Sequence, residues 1–84
     1  MEYKIVWSVK AAKQMEGLDR SIAKRIYEKV DQLHHNPERY VEKLVRYPYY
    51  RLRVGDFRLI LDIQTQMLSV LILKVGHRSN IYER

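Results

Sequence analysis

Hydrophobic and polar residues change rhythm several times along the chain, and each change marks an element. Tyr3-Lys4-Ile5-Val6-Trp7 alternates, with Tyr3, Ile5 and Trp7 on one side, which predicts a first strand. Ser8 ends the alternation, because its hydroxyl can accept from an early helix N–H, and Ala11, Ala12 and Met15 follow at helical spacing until Gly17. Asp19 is placed to cap a second helix, in which Ile22, Ala23, Ile26, Val30 and Leu33 form an apolar stripe opposite Arg20, Lys24, Glu28 and Asp31. Asn36-Pro37 stops it. Residues 37–49 have mixed charge and no period, so they read as a connection whose Tyr47-Pro48-Tyr49-Tyr50 cluster turns the chain into a strand.

From residue 50 the period is two. Tyr50, Leu52 and Val54 project to one side and Arg51 and Arg53 to the other, and Gly55-Asp56 separates this run from Phe57-Arg58-Leu59-Ile60-Leu61-Asp62-Ile63. A two-residue loop with glycine first suits a type II′ hairpin turn. That turn predicts the register: Val54 faces Phe57 and Arg53 faces Arg58. A last strand from Met67 to Val75 is apolar on both sides from Val70 to Leu73, which predicts a central strand covered on both faces and ended by Gly76. The expected fold is α+β: an N-terminal strand, then a two-helix hairpin packed on a small, mainly antiparallel sheet of about four strands.

Composition narrows the class. At 84 residues, 46% hydrophobic and 31% charged, with three Gly and two Pro, the chain reads as one globular domain over residues 1–84. It has no cysteine, which excludes a disulfide framework and a thiolate metal site and suits a cytoplasmic protein. No long apolar run and no basic-then-apolar leader is present, so neither a membrane span nor a signal peptide is expected. The net charge of +6 favours acidic partners. Residues 41–84 hold eight Lys/Arg against four Asp/Glu, whereas residues 1–40 hold eight against six, so the excess gathers in the half that carries the arginine hairpin.

Like charges directly opposite each other weaken a sheet, so an Arg53–Arg58 pair with Arg51 one pleat along is simplest to explain by an anion. Arginines can hold phosphates through two parallel hydrogen bonds, His77 and Arg78 follow the last strand, and Tyr82 could stack on a base. This combination points to RNA. A basic sheet face would equally suit an acidic protein, and a strand arginine is often only solvated. His34-His35 diverge by about 100° on a helix and have no third ligand in view, so helix C-terminal stabilisation explains them better than a metal.

The element order, the pattern Tyr50-Arg51-Leu52-Arg53 followed by Phe57-Arg58-Leu59, and the ending Val75-Gly76-His77-Arg78 through Ile81-Tyr82 resemble the RelE family of toxin–antitoxin ribonucleases, within the RelE/ParE superfamily. The resemblance covers nearly the whole chain. It implies a toxin that enters the ribosomal A site and cuts messenger RNA with the ribose 2′-hydroxyl as nucleophile. It also implies no metal or other cofactor, and a small RelB-like antitoxin as partner. Arg58 and Arg78 match the arginines that stabilise the scissile phosphate and assist the leaving group, and Tyr82 matches the tyrosine that stacks on a base.

Arg51 and Arg53 fall where well-studied members carry lysines. An arginine keeps its proton, so Arg51 can stabilise a phosphorane but cannot serve as general base. His77 is the histidine nearest the arginines and, with an unperturbed pKa of ~6.5, is the expected base. The expected site is thus Arg51, Arg53, Arg58, His77, Arg78 and Tyr82. Two alternatives stay open: a ParE-like toxin that poisons gyrase by protein binding, and a catalytically inactive module that binds RNA or protein.

Overall fold

The structure, a computed structural model, describes residues 1–81. Strand β1 (Lys4–Trp7) leads into helix α1 (Val9–Glu16) and helix α2 (Arg20–Asp31). Strands β2 (Glu42–Lys43), β3 (Tyr50–Val54), β4 (Phe57–Gln64) and β5 (Ser69–His77) follow. They form one five-stranded sheet in the order β1-β5-β4-β3-β2. β1 runs parallel to β5 and every other pairing is antiparallel. The helix pair carries the chain from β1 at one edge of the sheet towards β2 at the other, and its apolar side is covered by the sheet.

Local chemistry explains the joints. Ser8 caps α1, accepting at Oγ from Ala11 N–H at 3.0 Å. Asp19 stands at the N-cap of α2 but its carboxylate makes no capping bond, so the expected cap is there by position only. α2 ends one residue short of Gln32, and Leu33 sits in the 3₁₀ turn that follows, where it is fully buried. Asn36 adopts the left-handed conformation, φ 48°, which breaks the helical run, and Pro37 opens a short 3₁₀ turn over Pro37–Arg39. At the hairpin, Gly55 has φ 57° while Asp56 stays at negative φ, as a type II′ turn requires.

The core lies between the helices and one face of the sheet. Ala11, Met15, Ile26, Val30 and Leu33 meet Leu52, Val54, Leu59, Leu61, Val70, Ile72 and Val75. Leu52 and Val54 lie on the apolar face that alternation predicts for their strand. Truncating the fully buried Leu59 or Leu61 to alanine should cost about 2–5 kcal/mol.

Three details differ from the sequence reading. Residues 42–43, expected to be connection, form a short edge strand. β5 does not stop at Gly76 but pairs on to His77. Its second face is also not covered by helices: Leu71 and Leu73 remain half-buried, because both helices pack on the opposite side. A bulge between Ile60 and Leu61 explains the run of apolar residues in β5. There Ile60 pairs with Lys74 but Leu61 pairs with Ile72, so Leu73 is an extra residue and the alternation changes phase at it.

Candidate functional site

The outer face of the sheet is set by the hairpin register. Arg53 pairs with Arg58, Arg51 with Ile60, and Ile60 in turn with Lys74, while Gly76 pairs with Arg58. By alternation, Glu42, Arg51, Arg53, Arg58, Ile60, Lys74 and Gly76 therefore share the face turned away from the helices. Ile60 is only 2% exposed although it lies on this polar face.

The arginines are held as two pairs by different chemistry. Glu42 on β2 serves the first pair: its Oε1 lies 3.1 Å from Arg53 Nε and 3.4 Å from Arg51 Nη2. The hairpin turn serves the second. Arg58 Nη1 donates to the carbonyls of Gly55 at 3.0 Å and Phe57 at 2.9 Å. Arg78 donates its backbone N–H to the Asp56 carbonyl at 2.7 Å, and its Nε stands 3.8 Å from Asp56 Oδ1. The turn thus brings Arg58 and Arg78 together although twenty residues separate them. Arg25 of α2 closes over the same turn, and a Cβ at Gly55 would stand 3.3 Å from its Nη2. Glycine is favoured there by its positive φ, since the flexible Arg25 side chain could give way to a Cβ.

The tail folds back over the strand it leaves. Asn80 and Ile81 donate backbone N–H to the His77 carbonyl at 2.8 and 3.0 Å, and Ile81 comes down on Gly76 so closely that a Cβ there would be 3.1 Å from Ile81 Cβ. Ile81 therefore reaches the arginine face. Tyr82, the expected base-stacking residue, lies outside the described residues.

His77 is not brought onto that face. It pairs with Phe57, whose side chain alternates with that of Arg58, and the two rings meet edge to face at 5.5 Å on the helix side. Its Nδ1 is engaged by Ser79, 2.8 Å from the hydroxyl and 3.2 Å from the backbone nitrogen. The sequence reading placed His77 after the strand; the extra strand residues decide its side.

Two residues of this face had not been singled out. Glu42 gave no signal, because a two-residue strand shows no period. Lys74 was hidden by the bulge, which breaks the alternation that would have pointed it outward. Burial lowers the Lys74 pKa below the usual lysine value, and the charge of Lys10 on α1 adds to the effect. Among the described residues no three His, Asp or Glu side chains are grouped to hold a metal ion. None of the helices described is long and apolar enough to cross a membrane. The face can therefore bind and stabilise negative charge through fixed guanidinium groups.

Comparisons with known proteins agree with this architecture. The family model for the ParE toxin of the type II toxin–antitoxin system parDE matches residues 5–82. No curated protein sequence matches the chain. Among solved structures, the RelBE2 toxin–antitoxin complex of Mycobacterium tuberculosis has a chain 25% identical, with 95% of each chain covered and a TM-score of 0.86. The archaeal RelE–RelB complex of Pyrococcus horikoshii has one 27% identical, covering 96% of this chain and all of that one, with a TM-score of 0.81. The intact RelBE complex of E. coli, 23% identical with a TM-score of 0.77, shares the fold.

Proposed function

The chain belongs to the ParE toxin family of type II toxin–antitoxin systems, within the RelE/ParE superfamily, and from that premise we propose that it is a ribosome-dependent endoribonuclease that cuts messenger RNA in the A site. The observation that carries this reading is the outer face itself. Arg53 and Arg58 stand opposite each other at a cost to the sheet, with Arg51 and Arg78 held beside them. Such an arrangement suits a bound phosphate.

In this reading Arg58 and Arg78 hold the scissile phosphate, Arg51 and Arg53 stabilise the charge that grows on it, and Tyr82 stacks on a base. The ribose 2′-oxygen attacks the neighbouring phosphorus, the bond to the 5′-oxygen breaks, and the products are a 2′,3′-cyclic phosphate and a 5′-hydroxyl. Positioned positive charge is often the largest catalytic contribution to a reaction of this kind. Because the His77 ring lies on the helix side, the 2′-hydroxyl proton passes in this reading to water or to a group of the ribosome, and the arginines act through charge and position.

The relatives from Mycobacterium tuberculosis and Pyrococcus horikoshii were solved with their antitoxins, which supports a RelB-like partner for this chain. An open groove of about 810 Å³ between α2 and β1, lined by Ile5, Trp7, Ala23, Tyr27 and Val30 among others, offers an apolar seat for an amphipathic helix of such a partner. A second reading, a ParE-like gyrase poison, is favoured by the name of the matching family and needs no phosphate site. One experiment separates them: purified toxin is given programmed ribosomes in one reaction and gyrase with supercoiled DNA in another. Codon-phased cutting of messenger RNA is expected. Intact RNA with inhibited gyrase would transfer the chain to the second reading.

A further inference from the structure

At the end of β3 away from the hairpin turn, residues 44–49 join the edge strand β2 to Tyr50 in a loop clipped at its base. Lys43 pairs with Tyr50 and sets its Nζ 4.8 Å from the centre of that ring, and Leu44 N–H donates to the Tyr49 carbonyl at 3.0 Å. The Leu44 side chain is buried, and Pro48 restricts the backbone of the tip. The tip nevertheless turns Val45 fully into solvent. One exposed valine means little by itself, but this one stands at the rim of a hollow.

The hollow has a volume of about 260 Å³ and is lined by Lys43, Leu44, Val45, Arg46 and Tyr47 of the loop and by Arg51 of β3. Tyr47, half-buried, supplies an aromatic wall; Leu44 and Val45 supply aliphatic ones. Arg46 is exposed, and among the described residues it takes part in no ion pair. Arg51 ties the hollow to the arginine face, because Arg53, the partner of Arg58, follows two residues on, about 7 Å along the strand. The hollow therefore lies one step beyond the groups that hold the scissile phosphate in the reading above. It is smaller than the ~300 Å³ at which sites for drug-sized ligands begin, and it offers a ring face, apolar contact and a cation together. A single nucleotide presents the matching set.

We infer that residues 45–47 form a seat for the nucleotide beside the cleaved step, with Tyr47 stacking on its base and Arg46 holding its phosphate. This rests on the RNA reading of the arginine face. The base seated here is a different one from the base that Tyr82 stacks on in that reading, and Arg51 is asked only to be a wall. Stacking on an aromatic ring is open to every base, so the seat adds affinity and fixes the register of the strand without choosing a sequence.

The test is fluorescence anisotropy at 0.1 M salt with a 2′-O-methylated RNA, which binds but cannot be cut, and with a series of the same RNA in which one base at a time is replaced by an abasic sugar. Loss of one stacked base costs ~5- to 150-fold in affinity, so wild-type protein should show two sensitive positions, one for each tyrosine. Tyr47→Ala should weaken the intact RNA by a factor in that range and abolish the penalty at one position; Tyr82→Ala should abolish it at the other. Tyr47→Phe should keep wild-type affinity. Arg46→Ala should weaken the intact RNA by ~5-fold and make the log–log salt slope shallower by about 0.7. Wild-type binding that is independent of salt and unmoved by Arg58→Ala would overturn the RNA reading and the seat with it. With a steep slope that Arg58→Ala reduces, the seat alone falls if Tyr47→Ala changes nothing, or weakens the intact RNA and every abasic RNA alike, as a loosened loop would. It falls too if the Tyr47 and Arg46 variants keep RNA and lose a polyglutamate peptide, the mark of a protein-binding loop. The decision does not depend on Tyr47→Ala folding: a wild-type series whose only sensitive position is the one that Tyr82→Ala silences, or an unchanged slope in Arg46→Ala, overturns the seat.

Discussion

The two arginine pairs differ in what holds them, and the difference separates binding from chemistry. Arg51 and Arg53 lean on the carboxylate of Glu42, which is itself half exposed on a two-residue edge strand. Arg58 and Arg78 rest on the backbone carbonyls and the aspartate of a tight turn whose shape is fixed by Gly55. A phosphate arriving at the first pair must compete with an anion already in place. At the second it meets the Arg58 guanidinium, oriented by neutral peptide oxygens that can stay where they are, and the Arg78 guanidinium, which has only a loose 3.8 Å contact with the Asp56 carboxylate to give up. Exposed ion pairs contribute little to stability, typically below about 1 kcal/mol, so the Glu42 contacts are easily exchanged. The turn-held pair is preorganised, and preorganised charge is what accelerates a reaction.

The contrast can be broken most sharply at the turn. Arg58→Ala or Arg78→Ala should lower single-turnover cleavage on the ribosome by ~100- to 1000-fold, the range seen when a transition-state donor is removed. Arg51→Ala and Arg53→Ala should act mainly on binding, about 5-fold each in affinity at 0.1 M salt with a shallower salt slope. Equal losses of rate at all four positions, measured at saturating ribosome, would erase the distinction.

Glu42→Gln moves in the opposite direction. It removes the competing anion, so affinity for single-stranded RNA should rise by ~3- to 5-fold, about the worth of one phosphate contact at 0.1 M salt, and the unfolding free energy should fall by less than about 1 kcal/mol. Weaker RNA binding in an otherwise stable Glu42→Gln protein would mean that Glu42 orients the arginines for RNA and does not compete with it.

The smallest effect is expected at His77. With its ring against Phe57 and its Nδ1 engaged by Ser79, His77→Ala should change the cleavage rate by less than ~3-fold, well short of the ~100-fold or more that loss of a general base brings. Disappearance of the acidic limb of the pH–rate profile in this variant would restore the histidine as proton acceptor.

The hairpin was legible because one glycine and strict alternation fix its register, and Arg53 does face Arg58. The first helix was legible for the same local reason, a serine cap followed by helical spacing. What escaped depends on contacts between distant segments. No local signal tells that Glu42 will pair with Arg51, since that pairing exists only once β3 has found its neighbour. The bulge at Ile60/Leu61 inverts the phase of β5, and a reading that carries one phase through the strand passes over Lys74. The side on which His77 lies was not legible for the same reason, because the ladder with Phe57 extends past the glycine that was expected to end it.

Gln14 shows how little is needed to keep a sheet from recruiting strangers. Where β1 runs out, the amides and carbonyls of β5 would form an open border, the kind of template on which another chain can add a strand. The Ser8 hydroxyl and the Gln14 side chain meet that border at Leu73 and Val75. A toxin made in step with a neutralising partner spends its first moments without one, and during that interval an unguarded border invites self-association. Exchange of Gln14 for leucine would leave the helix and its spacing intact while removing the acceptor for Val75 N–H. The consequence would surface as clumping during synthesis before it appeared in any measure of toxicity.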